Sequence, residues 1–139
     1  MPRSYIGPAF EDAKVYDAMR VGVVSCRPET KLADVARMMI GYDVHSVVVS
    51  DVQGEGELWG IVTTLDLARR PDELESLTAG DTASTDLVTI DTSESLRRAA
   101  ELMSEQGVTH LVAVQPETGR PAGTISARGL AAALAYGGS

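Results

Sequence analysis

The chain has 139 residues, enough for one compact domain but too few for a catalytic domain with a separate regulatory one. Its hydrophobic share of 44% and charged share of 23% are ordinary for a soluble globular protein, and the aromatic share of 4% predicts an aliphatic core. The net charge of −8 disfavours nucleic acids and anionic membranes as partners, because both attract basic surfaces.

Cysteine usage and the lack of long apolar runs predict the compartment. Cys26 is the only cysteine, which excludes an intramolecular disulfide and a metal site built from cysteines of one chain. Residues 1–13 hold no apolar run of signal-peptide length, and no segment reaches the roughly 20 apolar residues of a membrane helix. We therefore expect a cytoplasmic protein without a membrane partner.

The first half of the chain predicts a β-α-β-β-α unit. An extended segment at 23–26 precedes a helix that Gly41 is expected to end. The apolar residues of this helix recur at the spacing of one buried face, at Leu32, Val35, Ala36 and Met39. The remaining elements are a strand at 47–49 covered on both faces, a glycine-containing loop at 51–57, a strand at 58–62 and a helix at 65–70.

The second half repeats the first. A shift of 64 positions places Val24 on Val88, Leu32 on Leu96, Ala36 on Ala100, Met39 on Met103 and Val44 on Val108. After a one-residue slip in the loop, Gly60 falls on Gly123, Thr63 on Ser126 and Leu67 on Leu130. Two copies at so long a period predict a pseudo-two-fold pair.

The second copy predicts the same elements in the same order. An extended segment at 87–90 is followed by a helix that is expected to end at Gly107 and whose apolar stripe consists of Leu96, Ala99, Ala100 and Met103. The remaining elements are a strand at 111–114, a loop at 116–121, a strand at 122–125 and a helix at 127–136. The expected division is an N-terminal arm at 1–14, a first repeat at 15–70, a connector at 71–80 and a second repeat at 81–136.

Four stretches, together with this element order, resemble the CBS-domain family. Gly60 to Asp66 reads Gly-Ile-Val-Thr-Thr-Leu-Asp and matches the pattern Gly-h-h-Thr-x-x-Asp, in which h is apolar. The others resemble the start of a first repeat at 15–19, a central strand at 107–114 and a hairpin at 116–123. The resemblance spans Val15 to Leu134, and the order of its motifs in two copies makes it specific.

The resemblance implies a fold and a function. The fold is α+β, with two β-α-β-β-α CBS repeats packed through their sheets in a pseudo-two-fold pair, a Bateman module. In this family such a pair has two clefts, which in many members bind AMP, ADP, ATP or S-adenosylmethionine, and two pairs commonly form a disc-shaped homodimer. We therefore expect a regulatory adenosyl-ligand module that needs no cofactor and acts in trans on an unidentified partner protein.

The first strand-to-helix junction has residue types suited to a nucleotide. Gly60 permits close approach of backbone, and Thr63 offers a hydroxyl at a helix N-terminus, where free N–H groups favour a phosphate. Asp66 can accept two hydrogen bonds from a ribose diol. The same Thr63 and Asp66 also fit a capping box, which a helix start favours without any ligand, and both roles stay open.

The family pattern completes this first site with further residues. It adds Ile61 from the junction and, from the other copy, Val88, Val108, Thr109 and His110, with the valines beside the adenine and Thr109 and His110 towards sugar or phosphate. His110 is equally compatible with a hydrogen-bonded residue at a strand edge.

The second junction departs from the pattern, because Gly129 stands where the ribose-binding acid belongs. The resemblance implies a weaker second site at Val24, Val44, His45, Ser126 and Arg128. Ser126 and Arg128 keep groups that could hold an anion, but the diol acceptor is lost. We expect unequal occupancy, with the Asp66 cleft preferred.

Other functions have less support in the sequence. No nucleophile with a base, carboxylate pair or metal-binding cluster stands out, so we expect neither an enzyme nor a metal site. Cys26 reads as a small core or boundary residue, although Arg27 beside it could lower its pKa. The alternative function is a ligand-free homodimeric interaction module, for which Leu130, Ala131, Ala133 and Leu134 would supply a helical seam, unless that stripe covers its own sheet.

Overall fold

Helices and strands are interspersed along the computed structural model, which describes residues 5–50, 58–84 and 87–138. The predicted loop at 51–57 lies outside these residues. The helices are α1 (Val15–Ala18), α2 (Leu32–Tyr42), α3 (Thr64–Ala68), α4 (Ala79–Thr82), α5 (Leu96–Gln106) and α6 (Ala127–Tyr136). The strands are β1 (Arg20–Val21), β2 (Ser25–Cys26), β3 (Ser46–Ser50), β4 (Leu58–Thr63), β5 (Thr89–Asp91), β6 (His110–Val114) and β7 (Pro121–Ser126).

One compact unit runs from Val23 to Leu87 and contains a three-stranded sheet in the order β2-β3-β4. The helix α2 connects the parallel strands β2 and β3, and β4 returns antiparallel to β3. The predicted stripe of α2 faces the core of this unit, which consists of Leu32, Val35, Met39, Val47, Val49, Val62, Leu67 and Ala79. Helical spacing in α2 and the β-branched run of β3 therefore bury one common apolar surface.

The other compact unit joins the described residues up to Gly22 with those from Val88 onward. Its sheet has the order β1-β7-β6-β5, with β5 parallel to β6 and with β7 antiparallel to both β6 and β1. Its core consists of Tyr5, Ala13, Val15, Ile90, Leu96, Ala99, Met103, Leu111, Ala113, Ile125, Leu130 and Ala133. The body of the second repeat thus takes part of its core from the start of the chain.

The short helices α1 and α4, which we call the lead helices, occupy matching places in the two units. The Val15 N–H donates to Glu94 O at 2.7 Å, and the Ala79 N–H donates to Thr30 O at 2.7 Å. Both pairs differ by 64 positions, which is the period of the sequence repeat. Each lead helix therefore packs on the repeat that does not follow it in the chain, and this exchange was not predicted.

The end of α2 corrects the expectation for Gly41. Gly41 lies within the helix, and the residue with left-handed backbone is Asp43, at φ 54°. Gly107, the counterpart of Asp43 in the second copy, ends α5 as predicted, at φ 66°. Asp is one of the few residues that adopt this conformation readily, so the nearest glycine does not mark the end of this helix.

The α+β class and the two repeats are confirmed. In both central strands the apolar residues predicted to be covered on both faces, Val47 to Val49 and Leu111 to Ala113, are buried, whereas Val114, the last residue of the second predicted run, is only partly buried. The helix predicted at 65–70 ends at Ala68, consistent with Pro71, which disfavours helical backbone at the residue before it. The repeat boundaries drawn at 15, 71 and 81 stay a prediction. Within the described residues, every helix is too short or too polar to cross a membrane.

Candidate functional site

The junction between β4 and α3 is held by a reciprocal pair of hydrogen bonds. The Thr63 N–H donates to Asp66 Oδ2 at 2.8 Å, and the Asp66 N–H donates to Thr63 Oγ1 at 3.3 Å. Both side chains are half-buried. The capping box expected from the sequence is therefore present, and it fixes the position of the Asp66 carboxylate at the start of the helix.

The carboxylate of Asp66 retains unused acceptor capacity. Its Oδ2 accepts from Thr63, whereas Oδ1 has no hydrogen-bond partner among the described residues. An ionised carboxylate has about four lone-pair sites on its two oxygens, and a single N–H occupies one of them. Capping of α3 and binding of a hydroxyl-rich ligand are therefore chemically compatible at Asp66.

The start of β3 lies against this junction. The Thr64 N–H and Oγ1 both donate to His45 O, at 3.0 and 3.1 Å, and Ser46 pairs with Thr63 across the sheet. Ser46 is buried, with 8% of its surface exposed, whereas His45 is exposed. The junction thus joins Thr63 and Asp66 to the backbone that leads into the central strand.

Apolar residues of the predicted sites surround the same part of the sheet. Val24 O accepts from the Val48 N–H at 2.9 Å, and Ile61 pairs with Val48 in the sheet. The Val44 N–H donates to Met39 O at 2.9 Å, directly after α2. The structure therefore brings Ile61, Thr63 and Asp66 together with Val24, Val44 and His45 within one unit.

The second junction, between β7 and α6, is capped from one side. Ser126 Oγ accepts from the Gly129 N–H at 3.2 Å, and Gly129 has no side chain to bond back. The Ala127 N–H donates to Thr109 O at 2.9 Å, the counterpart of the Thr64–His45 bond. The acid of the first junction has no replacement at this position.

The remaining predicted residues lie around the second junction. His110 pairs with Ser126 across the sheet, and its Nδ1 lies 3.1 Å from Thr109 Oγ1. Val88 O accepts from the Val112 N–H at 3.0 Å, and the Val108 N–H donates to Met103 O at 3.0 Å. Val88, Val108, Thr109 and His110 thus belong to the same unit as Ser126 and Arg128. Their grouping with Asp66 in a single site stays a prediction.

The two histidines occupy different places relative to the strands, as the sequence predicts. His45 corresponds to Thr109, because each accepts a hydrogen bond from the first residue of the helix that follows the junction. His110 corresponds to Ser46, because each pairs across the sheet with the cap residue of that helix. No group of three or more metal-ligating side chains occurs among the described residues. Burial raises the pKa of the Cys26 thiol above its ordinary value, which outweighs its hydrogen bond to Thr30, and Arg27 forms an ion pair with Glu29 at 2.6 Å.

Gly60 has a structural neighbour that the sequence did not suggest. A Cβ at this position would lie 2.8 Å from Ser84 O. Ser84 exchanges two hydrogen bonds with Ile61, each of 3.0 Å, along the edge of β4. Gly60 therefore permits the backbone at Ser84 to pack closely against β4.

Thr82 is a residue that the sequence analysis missed. Its Oγ1 is buried and has no hydrogen-bond partner among the described residues. Thr82 ends the lead helix α4, one repeat after Ala18 at the end of α1. A signal was available in this pairing, since a threonine with a hydroxyl stands at the position equivalent to an apolar alanine.

The duplicated β-α-β-β-α unit with its capped strand-to-helix junctions defines a tandem-repeat α+β module. The sequence profile of the CBS domain matches residues 15–73 and 79–136. These two ranges include 117 of the 139 residues. The chain belongs to the CBS-domain family.

Two solved CBS structures share the fold. A CBS domain pair in complex with 5′-methylthioadenosine and S-adenosyl-L-methionine superposes with a TM-score of 0.74 at 18% identity, over 86% of this chain and 93% of that one. The CBS domain of a bacterial CNNM/CorC family Mg²⁺ transporter in complex with ATP has a TM-score of 0.75 at 15% identity, over 91% and 89% of the two chains. At these identities the likeness concerns the fold.

A curated relative is considerably longer than this chain. It is a homoserine O-acetyltransferase from Methanocorpusculum labreanum, 31% identical over 110 residues. The match includes 78% of this chain but spans about a fifth of that protein, at 22%.

Proposed function

We propose that this chain is a non-catalytic, cytoplasmic regulatory module that binds an adenine nucleotide or related adenosyl ligand and acts in trans on a partner protein. The observation that carries the proposal is the Asp66 carboxylate. Its Oδ2 is held at the helix start by the Thr63 N–H, and its Oδ1 has no hydrogen-bond partner among the described residues. A carboxylate of this kind can accept hydrogen bonds from a ribose diol.

The ligand class is supported by the two solved relatives, whose bound molecules all contain adenosine. We propose Ile61, Thr63 and Asp66 as the ligand-binding residues of the first junction, with Val88, Val108, Thr109 and His110 as further members. The weaker second set stays Val24, Val44, His45, Ser126 and Arg128. Regulation would follow if the ligand binds better to one of two states of the module.

The acetyltransferase relative does not extend the proposal to catalysis. Because the match spans 22% of that protein, we propose that it reflects a CBS segment within a longer chain. A non-catalytic role for this chain is consistent with the junction chemistry, which offers acceptors and helix-start N–H groups.

A ligand-free homodimeric interaction module is the second candidate. The observation that favours it is on α6, where Leu134 exposes 67% of its surface. Leu130 and Ala133 of the same predicted stripe are buried in the core of their own unit. Part of the stripe thus covers its own sheet, and the rest is available to a second copy of the chain.

Thermal unfolding with AMP, ADP, ATP, S-adenosylmethionine and NAD separates the two candidates. A ligand at one hundred times its Kd adds about 2.7 kcal/mol to the free energy of unfolding, which raises Tm by several degrees. We expect such a rise with one or more of the adenosyl ligands. No rise with any of them would reject the ligand-binding function in favour of the interaction module.

Two substitutions separate binding from capping. Asp66→Asn keeps one acceptor for the Thr63 N–H but removes the second carboxylate oxygen, so we expect the ligand-induced rise in Tm to disappear. Asp81→Asn is the matched control, because Thr78 and Asp81 form the same reciprocal capping box at 3.0 and 3.2 Å. We expect Asp81→Asn to retain the full rise. An equal loss of the ligand-induced rise in Tm in both variants would contradict a direct contact between Asp66 and the ligand, because both variants weaken a capping box.

A further inference from the structure

The start of α3 uses most of its hydrogen-bond donors within the protein. The N–H groups of the cap residue and of the first three residues of a helix have no partner inside the helix, and such groups bind phosphate at many helix starts. Here the Thr63 and Asp66 N–H groups are both bonded within the capping box. The Thr64 N–H donates to His45 O at 3.0 Å. At most one of the four groups, the Leu65 N–H, is left for a ligand.

The charge at this junction is negative. The Asp66 carboxylate forms no ion pair among the described residues. On α2, which packs against α3, Arg37 is already paired with Asp34 at 2.8 Å. Arg69 and Arg70 follow the last residue of α3, at the end of the helix opposite to the cap. An anionic group bound beside Asp66 would therefore meet a like charge that no ion pair among the described residues offsets.

The matching position in the second junction holds a cation. The cap residues of α3 and α6 are Thr63 and Ser126. Two residues after each cap stand Leu65 in the first helix and Arg128 in the second. Leu65 exposes 58% of its surface, so the apolar side chain at this position is not part of the core. The first junction thus lacks the cation that the second has at the same position.

Adenosyl ligands differ in the charge that they place near the ribose diol. The diol and the 5′ carbon belong to one ribose, so an acid that binds the diol lies within a Debye length of the 5′ group, roughly 8 Å at physiological ionic strength. A 5′-monophosphate carries roughly −1.5 to −2 charges near neutral pH. 5′-Methylthioadenosine has an uncharged thioether in its place, and S-adenosylmethionine has a positively charged sulfonium. The 5′ group therefore decides whether the acid attracts or repels the ligand.

We infer that the Asp66 junction binds an adenosyl ligand whose 5′ group is neutral or positively charged in preference to AMP, ADP or ATP, and that Leu65 contributes to this preference by leaving the junction without a cation. This inference rests on the proposed function and narrows its ligand class. It also corrects the phosphate-binding role expected for the start of α3, because most of the N–H groups that would serve it already bond to the protein.

Isothermal titration calorimetry of the whole chain tests the inference with 5′-methylthioadenosine, S-adenosylmethionine, AMP and ATP as separate probes. We expect the two phosphate-free probes to bind about tenfold more tightly, or better, than AMP and ATP. AMP and 5′-methylthioadenosine are the sharpest comparison, because they share the adenosine and differ only in the 5′ group. Added salt should weaken the binding of S-adenosylmethionine and strengthen that of AMP, because screening reduces attraction and repulsion alike.

A substitution at Leu65 tests the missing cation directly. Leu65→Arg gives the first junction the residue type of the second, so it should strengthen the binding of AMP by about tenfold and weaken that of S-adenosylmethionine by a similar factor. Leu65→Gln is the matched control, because it removes the apolar side chain without adding a charge, and it should shift the ratio of the two affinities by much less. Both variants should fold, because Leu65 is exposed.

Each outcome decides either the inference or the function on which it rests. AMP or ATP binding as tightly as both phosphate-free probes would overturn the inference and leave the proposed function standing. No binding of any of the four probes to the natural protein would overturn the proposed function itself. An unchanged ligand ranking in Leu65→Arg, or an equal shift in Leu65→Gln, would overturn the part assigned to Leu65. If Leu65→Arg fails to fold, the ranking and salt dependence in the natural protein decide.

Discussion

Thr63 and Asp66 were predictable because their interaction is local. A cap residue and the third residue of a helix meet through backbone geometry alone, so a three-residue spacing suffices to predict both hydrogen bonds. The same spacing produces the box of Thr78 and Asp81 in α4. The residues proposed to share a ligand with Asp66 depend instead on how distant segments are arranged, which no local spacing specifies.

The buried hydroxyl of Thr82 provides a test at a single residue. Because Thr82 Oγ1 has no partner among the described residues, Thr82→Val should remove an uncompensated polar group and raise the free energy of unfolding by about 1 kcal/mol. Urea denaturation measures this change. Thr64→Val is the matched control and should lower the same quantity, since Thr64 Oγ1 donates to His45 O at 3.1 Å. A loss of stability in Thr82→Val would mean that its hydroxyl has a partner.

At the scale of elements, long periodic segments were predicted well and very short ones were not. The stripes of α2 and α5 repeat over three turns, and β3 and β6 are continuous apolar runs, so their pattern is unambiguous. The lead helices have four residues each and β1 has two, too few for a period to show. Their existence depends on the core residues against which they pack.

The ends of α2 and α5 provide a matched pair of substitutions. Asp43 and Gly107 are one repeat apart and both have left-handed backbone, which favours glycine. Asp43→Gly should therefore raise the free energy of unfolding by about 0.5–1 kcal/mol, and Gly107→Asp should lower it by a similar amount. Chemical denaturation of the two variants against the natural protein checks both signs. Equal signs would contradict the backbone argument.

At the scale of the whole molecule, the sequence predicted the duplication but not the exchange of lead helices. The bonds from Val15 to Glu94 and from Ala79 to Thr30 use equivalent residues. A lead helix could make the same contacts with its own repeat or with the other one, so the sequence pattern is identical in both cases. Only the course of the chain in space distinguishes them.

The exchange predicts where a core substitution acts. Val15 is fully buried in the unit that contains β5, α5, β6, β7 and α6, although it stands at the start of the first repeat. Val15→Ala should lower the free energy of unfolding by about 2 kcal/mol. It should accelerate amide hydrogen exchange in residues 88–138 before it does so in residues 23–50. Val35→Ala, a fully buried valine of the other unit, should show the opposite order. Mass spectrometry of exchanged peptides would contradict the assignment if Val15→Ala affected 23–50 first.

The discontinuity of one unit also sets an order of events during synthesis. The 65 residues from 23 to 87 separate the two parts of that unit. At roughly 5–20 residues per second, a ribosome needs roughly 3 to 13 seconds to add them. The middle unit can close while the nascent chain is still growing, whereas Ala13 and Val15 have no core to join until α5 and α6 have been made. A translational pause just after Leu87 would therefore prolong the exposure of α1 to chaperones and proteases without affecting the unit already complete.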